Sequence, residues 1–340
     1  MIAKLQPNRV RRTYLGGGRI EAFTGERRPE VDGVTCPEDW LASTTVAFNG
    51  VEEIAGEGLG RLEDGRFVKD VMGDIPVLVK LLDSDERLVI QAHPTVPCAK
   101  RLFGSPVGKT ECWYFLPGTS DDACVYLGFK PGITRELWRD AVLSQKGLLD
   151  MLHRIPVKAG DFVFVDGGVP HAIGGGCFIV ELQEPSDLMV VAERSTPSGR
   201  RIPDAKIHGG VGWEKMFDVY GYGGLSFEET CCRYVRLRSP IRCDSSGGSP
   251  ADGGAARICG PDLTDKFEFW RMAGGGRIRL KGACAVVVAI DGAGSINGTK
   301  AVRGDRFVVS EEDELSASGN VELVLCFKAN TDADGCARLR

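Results

Sequence analysis

Short apolar runs broken by Gly, Asp and Pro recur along the whole chain. Such runs read as short β-strands joined by turns. The clearest cover 77–82, 87–93, 110–116, 162–165 and 178–183. Residues two apart in a strand share a face. That rule puts Gln91 with His93, Glu111 with Trp113 and Phe115, and Glu181 with Cys177, Ile179 and Gln183. Helical spacing is confined to a few places. Ala99 to Phe103, after Pro94 and Pro97, predicts a short helix, as does 213–217. Leu137, Ala141, Leu143, Leu148, Leu149 and Leu152 predict one or two helices inserted over 132–153. The stretch Pro37-Glu38-Asp39-Trp40-Leu41-Ala42-Ser43 reads as a short surface helix or turn.

The pattern changes near residue 225. Positions 239–256 are rich in Ser, Gly, Pro and Asp without periodicity and predict a long loop. Strand-like runs resume over 266–328. The expectation is a mainly β protein of two units, 1–225 with the helical insertion around 132–153, and a smaller barrel-like 226–340. The chain's length of 340 residues suits that division. The second unit's strand text holds no histidine, so it is assigned a structural role.

Composition narrows the function classes. A net charge of −5 gives no electrostatic reason to expect nucleic acid or an anionic membrane as partner. The apolar run Ala283 to Ile290 is too short to cross a bilayer. The N-terminal residues carry no signal-peptide pattern. The twelve cysteines form no Cys-x-x-Cys pair and are scattered among apolar runs. They read as reduced, buried thiols of a cytoplasmic protein. Gly16-Gly17-Gly18 lacks the Gly-Lys-Ser/Thr ending of a phosphate loop. Arg9, Arg11 and Arg12 read as a solvated surface.

The candidate chemistry lies between Gln91 and Gln183. The chain has four histidines, and His93 and His171 stand at the ends of strand-like runs. His153 and His208 do not. With Gln91 and Glu111, His93 and His171 supply two imidazoles, one carboxylate and one amide oxygen. That set suits a borderline divalent metal with an open position for water. Glu111 shares its face with two aromatics, which is costly for a carboxylate unless it binds something.

The spacing sharpens this reading. Gly160-x5-Asp166-x-Gly168-x2-His171 resembles the second motif of the cupin family, and His93…Glu111-x6-Gly118 resembles the first with an insertion. The resemblance implies a double-stranded β-helix, or jelly roll, whose inward side chains hold a metal, followed by a second cupin-like β domain. Five pieces in order, Pro37 to Thr44, Gln91-Ala92-His93-Pro94, Gly108 to Trp113, Gly160-Asp161…Pro170-His171-Ala172 and Glu181 to Asp187, are similar to type I mannose-6-phosphate isomerase (phosphomannose isomerase).

That resemblance implies interconversion of mannose 6-phosphate and fructose 6-phosphate with one Zn2+ per chain held by Gln91, His93, Glu111 and His171. It assigns Lys109 and Glu181 to the catalytic set. The family's active-site arginine falls at Val191 here, and Arg194, three residues on, is the catalytic candidate in its place. The expected partner is a small sugar phosphate, with the protein a monomer or homodimer. Two alternatives stay open. A non-catalytic or divergent cupin binding a sugar or sugar phosphate would fit Val191. An iron oxygenase would use two His and a carboxylate with Gln91 a bystander.

Overall fold

The computed structural model describes residues 1–27, 35–48, 54–236, 254–280, 283–310 and 314–329. The loop predicted over 239–256 lies outside the described residues up to 253, and 255 and 256 already belong to a strand. Three antiparallel sheets make up the described fold. In chain order the first twelve strands are β1 (Ile2–Lys4), β2 (Arg9–Arg12), β3 (Thr35–Leu41), β4 (Leu78–Ser84), β5 (Gln91–Ala92), β6 (Glu111–Phe115), β7 (Cys124–Phe129), β8 (Leu152–Pro156), β9 (Phe162–Val165), β10 (His171–Ile173), β11 (Cys177–Gln183) and β12 (Val190–Val191). They are followed by β13 (Val235–Arg236), β14 (Ala255–Cys259), β15 (Phe267–Ala273), β16 (Arg277–Arg279), β17 (Ala285–Ile296), β18 (Thr299–Val302), β19 (Arg306–Val309) and β20 (Glu314–Lys328).

One sheet runs β12-β5-β10-β7-β8 and another β13-β9-β6-β11-β4-β3-β2. Their inner faces meet at the side chains of Gln91, His171 and Glu111. The third sheet runs β1-β19-β17-β20-β15-β14, with β16 and β18 paired at its side. The protein is mainly β, with the jelly-roll arrangement that the spacing implied. The strands near the site are buried along their whole length, β4, β6, β9 and β11 alike. Trp113, Phe115, Phe162 and Phe178 fill the space between layers. Each fully buried Phe contributes about 1.5–3 kcal/mol.

The short helices follow local signals. Thr95 caps α3 (Val96–Phe103) by accepting from the Cys98 N–H, and Gly104 ends it at φ 64°. In α4 (Arg135–Ser144) Thr134 accepts from the Leu137 N–H. This is the predicted insertion, but its buried face is Trp138, Ala141 and Val142, while Leu137 and Leu143 are exposed. Trp138 stands edge-on to Phe129 and Tyr220, so the ring fixes which way the helix faces. The 3₁₀ turn Leu149–Met151 completes the insertion, and His153 belongs to β8 rather than to a helix. Three further helices had no clear period: α1 (Arg19–Thr24), α2 (Val68–Met72) and α5 (Asp204–Ile207). The last helix, α6 (Phe227–Tyr234), opens on a Ser226/Glu229 capping box.

The turn or surface helix expected over 37–43 is instead the strand β3. It pairs with β2 and β4 on either side, and both its faces are buried, with Trp40 Nε1 donating to Glu38 Oε2 at 2.7 Å. Likewise Arg12, expected in solvent, is buried on β2 beside Val10. Arg9 and Arg11 pair with Glu21 and Glu57.

The two predicted units share one core. β1, at the N-terminus, pairs with β19 of the C-terminal sheet. Phe269 packs against Tyr114 and Phe162, and Arg306 reaches Asp39 at 2.5 Å as well as Glu26.

Candidate metal centre

His171 and Gln91 are cross-strand partners on β10 and β5, and Gln183 and Glu111 are partners on β11 and β6. The two pairs face each other across the barrel. His93, just past β5, completes the group. Two glycines allow the approach. A Cβ on Gly108 would lie 2.7 Å from the Pro94 carbonyl oxygen, and Gly168, before His171, has φ 90°.

His93, Glu111 and His171 bring one ligand atom each to within 4.8 Å of one another. His93 Nε2 lies 3.2 Å from Glu111 Oε2, and His171 Nε2 lies 3.2 Å from Glu111 Oε1. All three residues are essentially closed to solvent. The backbone sets the imidazole tautomers. His93 Nδ1 bonds to the Leu188 carbonyl at 2.8 Å and His171 Nδ1 to the Val169 carbonyl at 2.9 Å. A carbonyl only accepts, so each Nδ1 carries the proton and each Nε2 turns a lone pair toward Glu111. Both Glu111 oxygens are buried without a hydrogen bond of good geometry; the Lys109 ammonium lies 2.9 Å from Oε2, and Oε1 faces His171 Nε2. A buried Oε1 that faces a ring lone pair rather than a donor is costly and suits a cation between them. The donor set of two imidazoles and a carboxylate therefore fits a divalent metal. Gln91 Nε2 stands 3.4 Å from His171 Nε2, and a half-turn of the amide brings its oxygen to the same place.

Charge has been arranged accordingly. Burial, reinforced by Lys109, lowers the His93 pKa to about 3, so the ring stays neutral as a ligand must. Burial alone would raise the Glu111 carboxyl, but the Lys109 ammonium, the largest opposing charge, holds it well below the usual range. Lys109 Nζ touches the cluster directly, 2.8 Å from His93 Nε2 and 2.9 Å from Glu111 Oε2.

Glu181 stands two residues along β11 from Gln183, on the same face, and accepts from Trp113 Nε1 at 3.3 Å. Lys80 Nζ lies 2.9 Å from it. Burial raises the Glu181 pKa, Lys80 opposes this, and Glu111 adds to the rise. Arg194 is not brought to the cluster. It is exposed, its guanidinium lies over the Trp213 ring at 5.5 Å, and its backbone N–H donates to Gln145 Oε1. The chain bends at 192 and 194, just past β12, and so carries it away from the cluster. His153 and His208 bond to backbone groups away from the cluster.

A cavity of about 40 Å³ opens beside the cluster, lined among others by Arg12, Lys80, Gln91, Lys109, Glu181 and Lys206. It is well below the roughly 300–1,000 Å³ of ordinary ligand pockets, so a ligand of that size enters only as the lining side chains part. A larger cleft of about 540 Å³ lies behind the Asp166–Pro170 turn and holds none of the four predicted ligands. The chemistry, not the volume, selects the smaller cavity. Lys80 and Lys206 were not singled out from sequence, and Arg12 only as part of a solvated surface, which its burial corrects. The signal for Arg12 was its alternation with Val10, and for Lys80 its place inside an apolar strand. Lys206, in irregular text, gave none.

These features define a cupin-type β protein with a buried His-Glu-His group that could hold a metal. The comparisons with known proteins agree with this class and narrow it. No family model matches the chain. It is 37% identical over 129 residues to a mannose-6-phosphate isomerase of Bacillus subtilis, covering 38% of this chain and 37% of that protein. It is 38% identical over 186 residues to one of Streptococcus mutans, covering 53% and 57%. The matches thus span less than two thirds of either relative. Among solved structures, the mannose 6-phosphate isomerase from Bacillus subtilis superposes with a TM-score of 0.72 at 18% identity, covering 96% of this chain and 99% of that one. A mannose 6-phosphate isomerase bound with zinc and yttrium gives 0.67 at 14% identity, covering 97% and 100%. The resemblance to mannose-6-phosphate isomerases read from the ordered motifs is borne out by these relatives, and the fold is theirs.

Proposed function

We propose that the chain is a metal-dependent aldose–ketose isomerase interconverting mannose 6-phosphate and fructose 6-phosphate, with Zn2+ held by His93, Glu111, His171 and Gln91. The observation that carries this reading is the convergence of two backbone-oriented Nε2 atoms on one buried carboxylate, all three ligand atoms within 4.8 Å. When bound, the metal supplies Lewis-acid polarisation of the sugar's carbonyl and hydroxyl oxygens.

The chain's own groups supply the rest. Isomerisation moves a proton between adjacent carbons through an enediol. Glu181 is the base, lining the cavity beside Lys109, its proton affinity raised by burial. Lys80 orients that carboxylate from behind. Lys109 places a positive charge next to the ligands, where oxyanion character develops. Arg194 has no part in this scheme. Reduced buried thiols suit the cytoplasm, the compartment proposed here.

The test is a coupled assay of mannose 6-phosphate conversion on protein stripped with chelator and then reloaded with zinc. Turnover that vanishes on stripping and returns on reloading supports the reading. No conversion by zinc-loaded protein overturns it.

A further inference from the structure

The register of the five-stranded sheet sets a row across the metal face: His171 pairs with Gln91, and Gln91 pairs with Val191. Cross-strand partners stand side by side on one face, about 4.5–5.5 Å apart at Cβ. A side chain at 191 therefore borders the metal cluster, and Val191 does line the cavity. Valine there offers no charge, so the row His171–Gln91–Val191 ends without a cation. Lys206 lines the same cavity from α5, a helix that packs against β12. It is only 5% exposed, yet its ammonium makes no hydrogen bond or ion pair among the described residues. Its stem is covered, and an ammonium with so little water and no partner is free to meet a ligand in the cavity it lines. Lys109 cannot stand in for a cation at 191, being engaged with His93 and Glu111.

We infer that Lys206 supplies from α5 the positive charge that Val191 lacks on β12, and that it contacts the sugar oxygen that becomes negative as the enediolate forms. The inference rests on the isomerase reading and names a catalytic residue for it. No arginine fork is needed, because a single oxyanion is met by a point charge. Burial lowers the Lys206 pKa to about 8, with Arg12 lowering it further and Asp187, Glu38 and Glu57 opposing. Lys80, Lys109 and Glu181 also face the cavity.

The experiment uses the full zinc-loaded chain and the variants Lys206→Met, Lys206→Arg and Lys206→Met with Val191→Arg. Loss of one oxyanion-stabilising group predicts that Lys206→Met lowers kcat about 100-fold while KM moves by less than about threefold. Affinity for a sugar-phosphate hydroxamate, an enediolate mimic, falls about as far, read by calorimetry without turnover. Lys206→Arg keeps activity and removes the fall in kcat above about pH 8, since arginine stays charged. Adding Val191→Arg to Lys206→Met restores at least about tenfold of the loss. A Lys206→Met protein with unchanged kcat and hydroxamate affinity overturns the inference while leaving the isomerase intact. So does equal loss in all three variants with lowered melting temperatures, which marks a structural lysine. Absence of turnover in the zinc-loaded natural chain overturns the isomerase reading, and the inference falls with it.

Discussion

The neutral state of His93 makes the metal-free protein sensitive to acid, and the effect can be sized. In the folded chain its pKa is lowered from 6.5 to about 3 by burial and by Lys109. Between those values the unfolded chain binds a proton that the folded chain refuses, so stability falls as pH falls. Integrating the linkage relation from about pH 7.5 to about pH 5 gives a loss on the order of 2 kcal/mol from this one residue. Below pH 5 the carboxylates begin to titrate and obscure it, so the upper window is the informative one. The assay is urea unfolding of chelator-treated protein at both pH values, followed by tryptophan fluorescence, for the natural chain and for His93→Gln. The natural chain should lose about 2 kcal/mol more than the variant over the window. Equal losses in both would refute the argument, because they would mean that His93 takes up its proton in the folded state.

Glu111→Ala should reduce bound zinc from one per chain to none by metal analysis, while far-ultraviolet circular dichroism is retained. Ser226→Ala removes the capping box of α6 and should cost about 1 kcal/mol in urea unfolding without altering zinc content. Arg12→Met leaves Glu38 and Asp187 buried with a missing partner and should cost about 3–5 kcal/mol. Gly108→Ala places a methyl 2.7 Å from the Pro94 oxygen and should both destabilise the chain by about 1–3 kcal/mol and weaken zinc binding, because the 94–96 turn follows His93.

What was legible in the sequence was whatever repeats with a short period or stands at fixed spacing. The apolar strands β4, β6, β9 and β11 were readable because both of their faces are buried. The metal candidates were readable because the glycines, Asp166 and His171 must keep their intervals for the turn to close. What escaped were charges placed in apolar surroundings. Arg12 beside Arg11 looks solvated, and Glu38 and Asp39 beside Pro37 look like a turn, because nothing local reveals a partner 175 residues away at Asp187. Arg194 was chosen by nearness in sequence, but three residues past a strand end put it over Trp213. The N-terminal strand's place in the far sheet is likewise a non-local pairing.

Those hidden charges form a chain of alternating sign that ends at the proposed base. Asp187 meets Arg12 at 3.1 Å, Arg12 meets Glu38 at 3.0 Å, Glu38 meets Lys80 at 3.7 Å, and Lys80 meets Glu181 at 2.9 Å. All five side chains are buried. Glu38 is further held by Tyr14 and Trp40, and although burial opposes its ionisation, Arg12 and Lys80 keep its pKa far below the ordinary range. The arrangement has a consequence for catalysis. A lone lysine beside Glu181 would favour the carboxylate and weaken it as a base. Because Lys80 is shared with Glu38, part of its charge is already neutralised, and burial together with Glu111 leaves the proton affinity of Glu181 raised. Removing Glu38 should therefore hand Lys80 wholly to Glu181 and lower its proton affinity. Glu38→Gln would then shift the acid limb of the isomerisation pH profile to lower pH and slow the proton abstraction, although residue 38 does not line up with the metal ligands.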